Sequence, residues 1–367
     1  MCTSLIYKDT AGKAYFGRTL ELTVDLPYQL AHVPAGLTMS SVAAGHEPLV
    51  FETQHAYVAI TMPDRAPTAE APIGIADLKV LEGLNDKGLT FSLLSYPSAA
   101  GKQASVEVTK AVLSASDLGS WVLGSFDTVA ALKTALAAQP IALQPLAILG
   151  GVVSPFHYVA HDATGAALVI EFHRGDMTLY DNPVGVMTNG PKFDWHLTNL
   201  DNYTFLSNVD QSSATFGTYK AAQPDSGIAT QGLPASNTSV GRFVRAAYYA
   251  QFTEKAATPD LAVRALAHIM NNFDRPRGVT IDYPEGAGSH LEVQGLQEDK
   301  AAPYATEFTS WTSLSDLDRG IFFVRDYSSL NYSRVDLGAL ADATKPSVVS
   351  LHKLGGTATD ATALLKG

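Results

Sequence analysis

Short apolar runs separated by polar, glycine-containing turns fill the opening of the chain. Residues 4–7 and 15–20 flank Asp9-Thr10-Ala11-Gly12-Lys13, and this arrangement predicts a hairpin. Residues 57–62 and 89–96 predict further strands, the second entered through the turn Asn85-Asp86-Lys87-Gly88. Position 2 then opens the first strand of a sheet. A helical pattern covers 105–126 and 128–138, with Asp127 as the cap of the latter and Pro140 as its stop. Strands are predicted again over 157–162, 166–173, 177–180 and 185–188. The segments 193–203, 242–252 and 262–273 predict helices, the last led in by Thr258-Pro259-Asp260. Final strands are predicted over 307–314, 320–326 and 333–337. Two blocks of strands with helices segregated between them predict an α+β layered domain, not a regularly alternating parallel fold.

The stretch 208–239 is rich in Ser, Gly, Ala, Gln and Pro and is too long for an ordinary connection, so it is either disordered or functional. The tail 355–367 is small and polar and is expected to fray. Hydrophobic residues make up 46% of the 367 positions and charged ones 17%, which is enough apolar material for a large core. A net charge of −11 with only 25 Lys and Arg argues against a nucleic-acid surface, because phosphate binding relies on those cations. The longest apolar run, 141–156, contains Gln144 and Pro145 and falls short of the roughly 20 residues that span a bilayer, so no membrane partner is expected. Lys8 and Asp9 interrupt the opening, which has no basic n-region and does not read as a signal peptide. A cytoplasmic protein is expected as numbered, and a periplasmic or secreted one where a leader preceded the numbering.

Several familiar chemistries find no support. There is no G-x-S-x-G elbow, P-loop or G-x-G-x-x-G fingerprint. His157 and His161 share a strand face without a third ligand, and the Asp316, Asp318 and Gly320 echo of a calcium loop has Tyr327 where Glu is needed. No metal or cofactor is expected. The single cysteine excludes an internal disulfide, and its place at position 2 invites a chemical explanation. Once Met1 is removed, nucleophile and α-amine belong to one residue. An α-amine titrates at about 7.7–8.0 and a thiol at about 8.5, so the amine serves as base near neutrality without any histidine. Such an enzyme also needs a cation beside the thiolate, a carboxylate to orient the amine, and donors for the oxyanion.

Phe16-Gly17-Arg18-Thr19-Leu20-Glu21 offers the cation and the carboxylate on the strand expected to pair with the one opened by Cys2. Farther on stand Gly83-Leu84-Asn85-Asp86-Lys87-Gly88-Leu89, Met187-Thr188-Asn189-Gly190-Pro191 with Phe193-Asp194-Trp195-His196, and Gly241-Arg242-Phe243-Val244-Arg245. Taken singly, Arg18 and Glu21 are ordinary strand-end charges and Asn189-Gly190 is a good turn dipeptide. Their joint order resembles the choloylglycine hydrolase family, which includes conjugated bile salt hydrolases and penicillin V acylases. The resemblance runs from the first hairpin to Gly320-Ile321-Phe322-Phe323.

That resemblance implies the four-layer αββα sandwich of N-terminal-nucleophile hydrolases, with one amide hydrolase domain over 2–354. It implies Cys2 as nucleophile, Arg18 as the guanidinium beside its sulfur, Asn189 as side-chain oxyanion donor and Arg242 as the arginine completing the polar network. It also implies a homo-oligomer, a tetramer gripped through 208–239. Two positions depart from the family pattern. Glu21 stands where Asp is usual, and Ser95, in Leu93-Leu94-Ser95-Tyr96-Pro97, stands where many bile salt hydrolases have Asn and many penicillin V acylases Tyr. The Ser95 backbone N–H still resembles the second oxyanion donor. The substrate implied is a small amide with a bulky apolar acyl part: a phenoxyacetyl penicillin, a conjugated bile acid or an N-acyl homoserine lactone. The absence of Asn at 95 tilts the expectation towards penicillin V. The rival reading is a non-catalytic binding protein with Cys2 buried and Arg18 and Glu21 paired with each other.

Overall fold

Two antiparallel sheets form the centre of the computed structural model, which describes residues 1–283 and 304–354. The expected hairpin is present as β1 (Cys2–Lys8) and β2 (Ala14–Leu22). These two strands lie inside a six-stranded sheet, with Val186–Met187 beside β1 and Phe308–Asp316, Ile321–Asp326 and Ser333–Asp336 following beyond β2. The second sheet has eight strands. Its order runs Asp176–Asp181, Ala167–His173, Phe156–His161, Thr90–Ser95, Leu78–Asn85, Tyr57–Pro63, Gln29–Val33 and Ser347–Ser350.

Helices cover the outer faces. α1 (Leu118–Ser125) and α2 (Val129–Leu136) pack on the eight-stranded sheet. α4 (Ser239–Phe252) and α5 (Pro259–Asn271) lie on β1 and β2, and α3 (Phe193–Leu200) packs on α4. The result is the αββα sandwich expected from the sequence. Helix and sheet approach closely at Gly17, where a Cβ would stand 2.8 Å from Met270 Cγ and 3.0 Å from a Leu266 methyl of α5. Any larger residue there would push the helix layer off the strand that carries Arg18.

The structure corrects several expected elements. Only the end of 105–126 is helical, as α1, and Ala111–Ser114 is a strand. The valines at 106, 108 and 112 alternate, which is a strand period, and their β-branched side chains disfavour a helix. α2 is capped by Thr128, whose Oγ1 accepts from Ala131 N at 3.2 Å, and not by Asp127. The strands Gln29–Val33 and Leu78–Asn85 escaped the pattern reading, the latter because Lys79 and Glu82 interrupt its apolar positions. Residues 208–239 hold a hairpin, Ser213–Phe216 with Tyr219–Ala222, and a short 3-10 turn, Ile228–Gly232. The 355–367 tail lies outside the described residues. Among the described residues no helix is long and apolar enough to cross a membrane.

Candidate active site

Register on the first hairpin decides which way each side chain points. Cys2 lies opposite Leu20, and Ser4 opposite Arg18. Directly opposed residues share a face and neighbours alternate, so Cys2 and Arg18 project towards the second sheet while Thr3, Thr19 and Glu21 project towards the helices. All are buried.

Arg18 enters a fork in the second sheet. Leu78–Asn85 and Thr90–Ser95 pair from Leu84 opposite Thr90 to Glu82 opposite Ser92, and beyond that point they separate. The Arg18 guanidinium fills the opening: Nη1 donates to the Leu81 carbonyl and Nη2 to the Leu93 carbonyl, one from each strand. The same Nη2 stands 3.4 Å from Cys2 Sγ, and Nη1 stands 3.3 Å from Glu82 Oε2. Ser92 Oγ donates to that same carboxylate oxygen. Burial pushes the Glu82 carboxyl up to about 7, against the lowering effects of Arg18 and of the Ser92 hydroxyl. The guanidinium also lies over the Trp311 ring, 4.9 Å from its centroid.

The backbone of Cys2 is held from the helix side. Its N–H donates to Asn189 Oδ1 at 2.9 Å, and its carbonyl accepts from Arg242 Nη1 of α4. Arg242 also donates to Thr3 Oγ1 at 2.7 Å, to Asn189 Oδ1 at 2.8 Å and to the Asn237 carbonyl at 3.0 Å. Asn189 is fixed at its main chain as well, where its N–H donates to Ser239 Oγ at 2.8 Å and its carbonyl bonds His196 Nε2 at 2.8 Å. One Asn189 Nδ2 hydrogen goes to the Ser95 carbonyl at 2.8 Å, which leaves the second for another acceptor.

The backbone direction at Ser95 follows from that of its neighbour Tyr96. Tyr96 N–H bonds the Pro155 carbonyl of the neighbouring chain segment, so residues 93 and 95 turn their backbone groups the other way. That direction is the one in which Arg18 meets the Leu93 carbonyl and Asn189 the Ser95 carbonyl. The Ser95 N–H therefore points to the Cys2 side.

Glu21 corrects the sequence expectation in part. Its carboxylate makes no hydrogen bond to Cys2 N; the acceptor there is Asn189 Oδ1. Glu21 instead lies on the helix side, 3.5 Å from Thr309 Oγ1, where burial raises its pKa against the opposing pull of Arg242. Its main chain brackets Met1: Met1 N donates to the Glu21 carbonyl and Glu21 N donates to the Met1 carbonyl at 2.7 Å. Arg18 and Glu21 are not paired with each other, because residues three apart on a strand face opposite sides.

A cleft of about 580 Å³ opens over Cys2. Leu20, Leu26, Tyr28, Met62, Ile148 and Phe156 are among its apolar lining, and Ser95 and Leu93 border it near the sulfur. The Tyr28 hydroxyl is buried beside Cys2 and Arg18 and has no partner among the described residues. Glu82, Ser92, Tyr28 and Ser239 were missed in the sequence. The one available signal was Glu82 itself, a carboxylate between Leu81 and Gly83 in an otherwise apolar stretch. His157 and His161 are buried; His157 bonds the Thr188 carbonyl at 3.0 Å, and the His161 ring lies tilted against Phe16 with centroids 4.6 Å apart.

With this geometry in view, three comparisons are informative. A family model described as linear amide C–N hydrolases, choloylglycine hydrolase family, matches residues 2–290. A bile salt hydrolase/transferase of Lactiplantibacillus plantarum is 27% identical over 344 residues, covering 92% of each chain. Among solved structures, the C2A mutant of the Clostridium perfringens conjugated bile acid hydrolase superposes with a TM-score of 0.78 at 22% identity, over 97% of this chain and 99% of that one. The penicillin V acylase of Agrobacterium tumefaciens gives 0.69 at 20% identity, over 95% and 90%.

Proposed function

The chain belongs to the choloylglycine hydrolase family of linear amide C–N hydrolases, and from that premise we propose that Cys2, once freed of Met1, is its nucleophile. The observation that carries this reading is the sulfur's position, 3.4 Å from a buried guanidinium and open to an apolar cleft. The thiolate attacks the amide carbonyl carbon and the carbonyl π electrons pass to oxygen. That oxyanion is received by the second Nδ2 hydrogen of Asn189 and by the Ser95 N–H. The Cys2 amine, its hydrogen bond to Asn189 Oδ1 retained, carries the thiol proton to the leaving nitrogen as the C–N bond breaks. Water, deprotonated by the same amine, then cleaves the thioester.

The acyl group fits the apolar cleft and the amine departs on the side of Met1. Conjugated bile acids and phenoxyacetyl penicillins are the two acyl classes to test first. The bile salt hydrolase/transferase of Lactiplantibacillus plantarum supports the former, and Ser95 in place of Asn supports the latter. With Met1 removed, the native protein is expected to hydrolyse at least one member of a panel of glycocholate, penicillin V and acyl homoserine lactones. Cys2→Ala, folded by circular dichroism, is expected to hydrolyse none, and so is a variant retaining an uncleavable residue before Cys2. Full activity in the blocked variant would show that another group is the base.

We also propose a homo-oligomer assembled through 208–239. Its hairpin presents two large aromatic side chains, Phe216 and Tyr219, at 68% and 69% exposure, and burying them against a neighbour would be favourable. Light scattering on the intact protein checks this, and a monomer would refute it.

A further inference from the structure

One buried cation stands between two groups able to carry a negative charge. Arg18 reaches Cys2 Sγ through Nη2 at 3.4 Å and Glu82 Oε2 through Nη1 at 3.3 Å, and both partners are buried. The carbonyls of Leu81 and Leu93 fix the plane of the guanidinium between them. A single positive charge in a low-dielectric site compensates one anion well and two poorly. The charge that Glu82 takes from Arg18 is charge that a Cys2 thiolate does not receive.

We propose that Glu82 is a positioning residue for the reaction: held by Ser92, it shares the Arg18 guanidinium with Cys2 and so sets how readily the thiol ionises. This rests on the reading of Cys2 as nucleophile. The proximity is not visible along the chain, because Glu82 reaches Arg18 only through the packing of one sheet on the other. Glu82 Oε1 has no partner among the described residues, so the carboxylate depends on Arg18 and Ser92 alone. Its titration near neutrality fits that thin support. Other groups facing this pair are few among the described residues. Tyr28 lies beside Cys2 and Arg18 on the cleft side, Trp311 presents its ring to Arg18, and Arg242 meets Cys2 from its backbone side, with Glu21 near Arg242. The α-amine of Cys2 completes the set.

The test follows the rate of Cys2 alkylation by iodoacetamide against pH, in Met1-free protein. Glu82→Gln keeps the shape and removes the competing charge, so the alkylation midpoint is expected to fall by about one pH unit. Ser92→Ala withdraws a donor from the carboxylate, keeps Glu82 protonated to higher pH, and is expected to shift the midpoint the same way by less. It also decides the matter if Glu82→Gln does not fold. A midpoint unchanged in the folded variants, even with lowered melting temperature, would reduce Glu82 to a structural role and overturn the proposal. A rise would also overturn it, since Glu82 would then be holding Arg18 in place without opposing it. Alkylation needs only the thiol, so a native protein that fails to hydrolyse amides would strike the nucleophile reading and leave this measurement standing.

Discussion

The two faces of the six-stranded sheet each bury an arginine against Cys2, one at its backbone and one at its sulfur. On the helix side, Arg242 donates to Cys2 O, Thr3 Oγ1, Asn189 Oδ1 and Asn237 O, and every one of those contacts ties one element to another. On the side facing the second sheet, Arg18 is held by the Leu81 and Leu93 carbonyls with Glu82 and Cys2 Sγ beside it, and unpartnered buried atoms occur on both faces: Arg18 Nε and Glu82 Oε1 here, Thr19 Oγ1 and Glu21 Oε2 on the helix side. The helix side fixes where the Cys2 backbone lies, and the other side sets a guanidinium beside the sulfur.

Three experiments separate the faces. The largest effect is expected from Arg242→Ala, which strips four acceptors of a buried donor. Breaking a buried charged network costs about 3–5 kcal/mol, so a large fall in denaturation midpoint is expected, and wild-type stability would mean that the helix-side network is dispensable. Arg18→Lys comes next. The ammonium keeps the charge but cannot reach both carbonyls and the sulfur, so kcat is expected to drop by about 10²-fold with a smaller effect on folding. Unchanged turnover would remove Arg18 from the site.

The third measurement concerns His161, whose ring lies tilted against Phe16 between the sheets. Burial pushes it down to about 4 from an ordinary 6.5. A depressed folded value means that its stabilisation is complete above 6.5 and is lost as pH falls through 4, an effect on the order of 3 kcal/mol. His161→Phe should therefore narrow the loss of melting temperature between pH 7 and pH 4. His196, also pushed down to about 4 by burial, keeps part of that slope in the variant. An identical slope in both proteins would mean that His161 does not titrate with unfolding.

Much of this arrangement was legible in the chain. Cys2, Arg18, Asn189 and Arg242 sit in local motifs whose order along the sequence points to one site, and the structure brings all four together. The opposite orientation of Glu21 was legible too, since residues 18 and 21 on a strand differ by an odd number. What could not be read is anything that depends on how one sheet lies on the other. Glu82 meets Arg18 because two strands part after their pairing at Glu82 and Ser92, and no local pattern announces that fork. The helix predicted over 105–126 fails before Leu118 for a different reason, because charge and β-branching at its start disfavour a helix that the scattered apolar positions suggest.

Met1 occupies a place in the sheet, hydrogen-bonded through both its amine and its carbonyl to Glu21. A peptidase needs the residue it removes in an extended, unpaired strand of its own, so β1 and the processing enzyme compete for the same few atoms. On the reading of Cys2 as a nucleophile freed of Met1, trimming is expected to come before the hairpin closes. On that same reading, a preparation made faster than it is trimmed is expected to be a mixture of two masses with one fold, the lighter of them the active one.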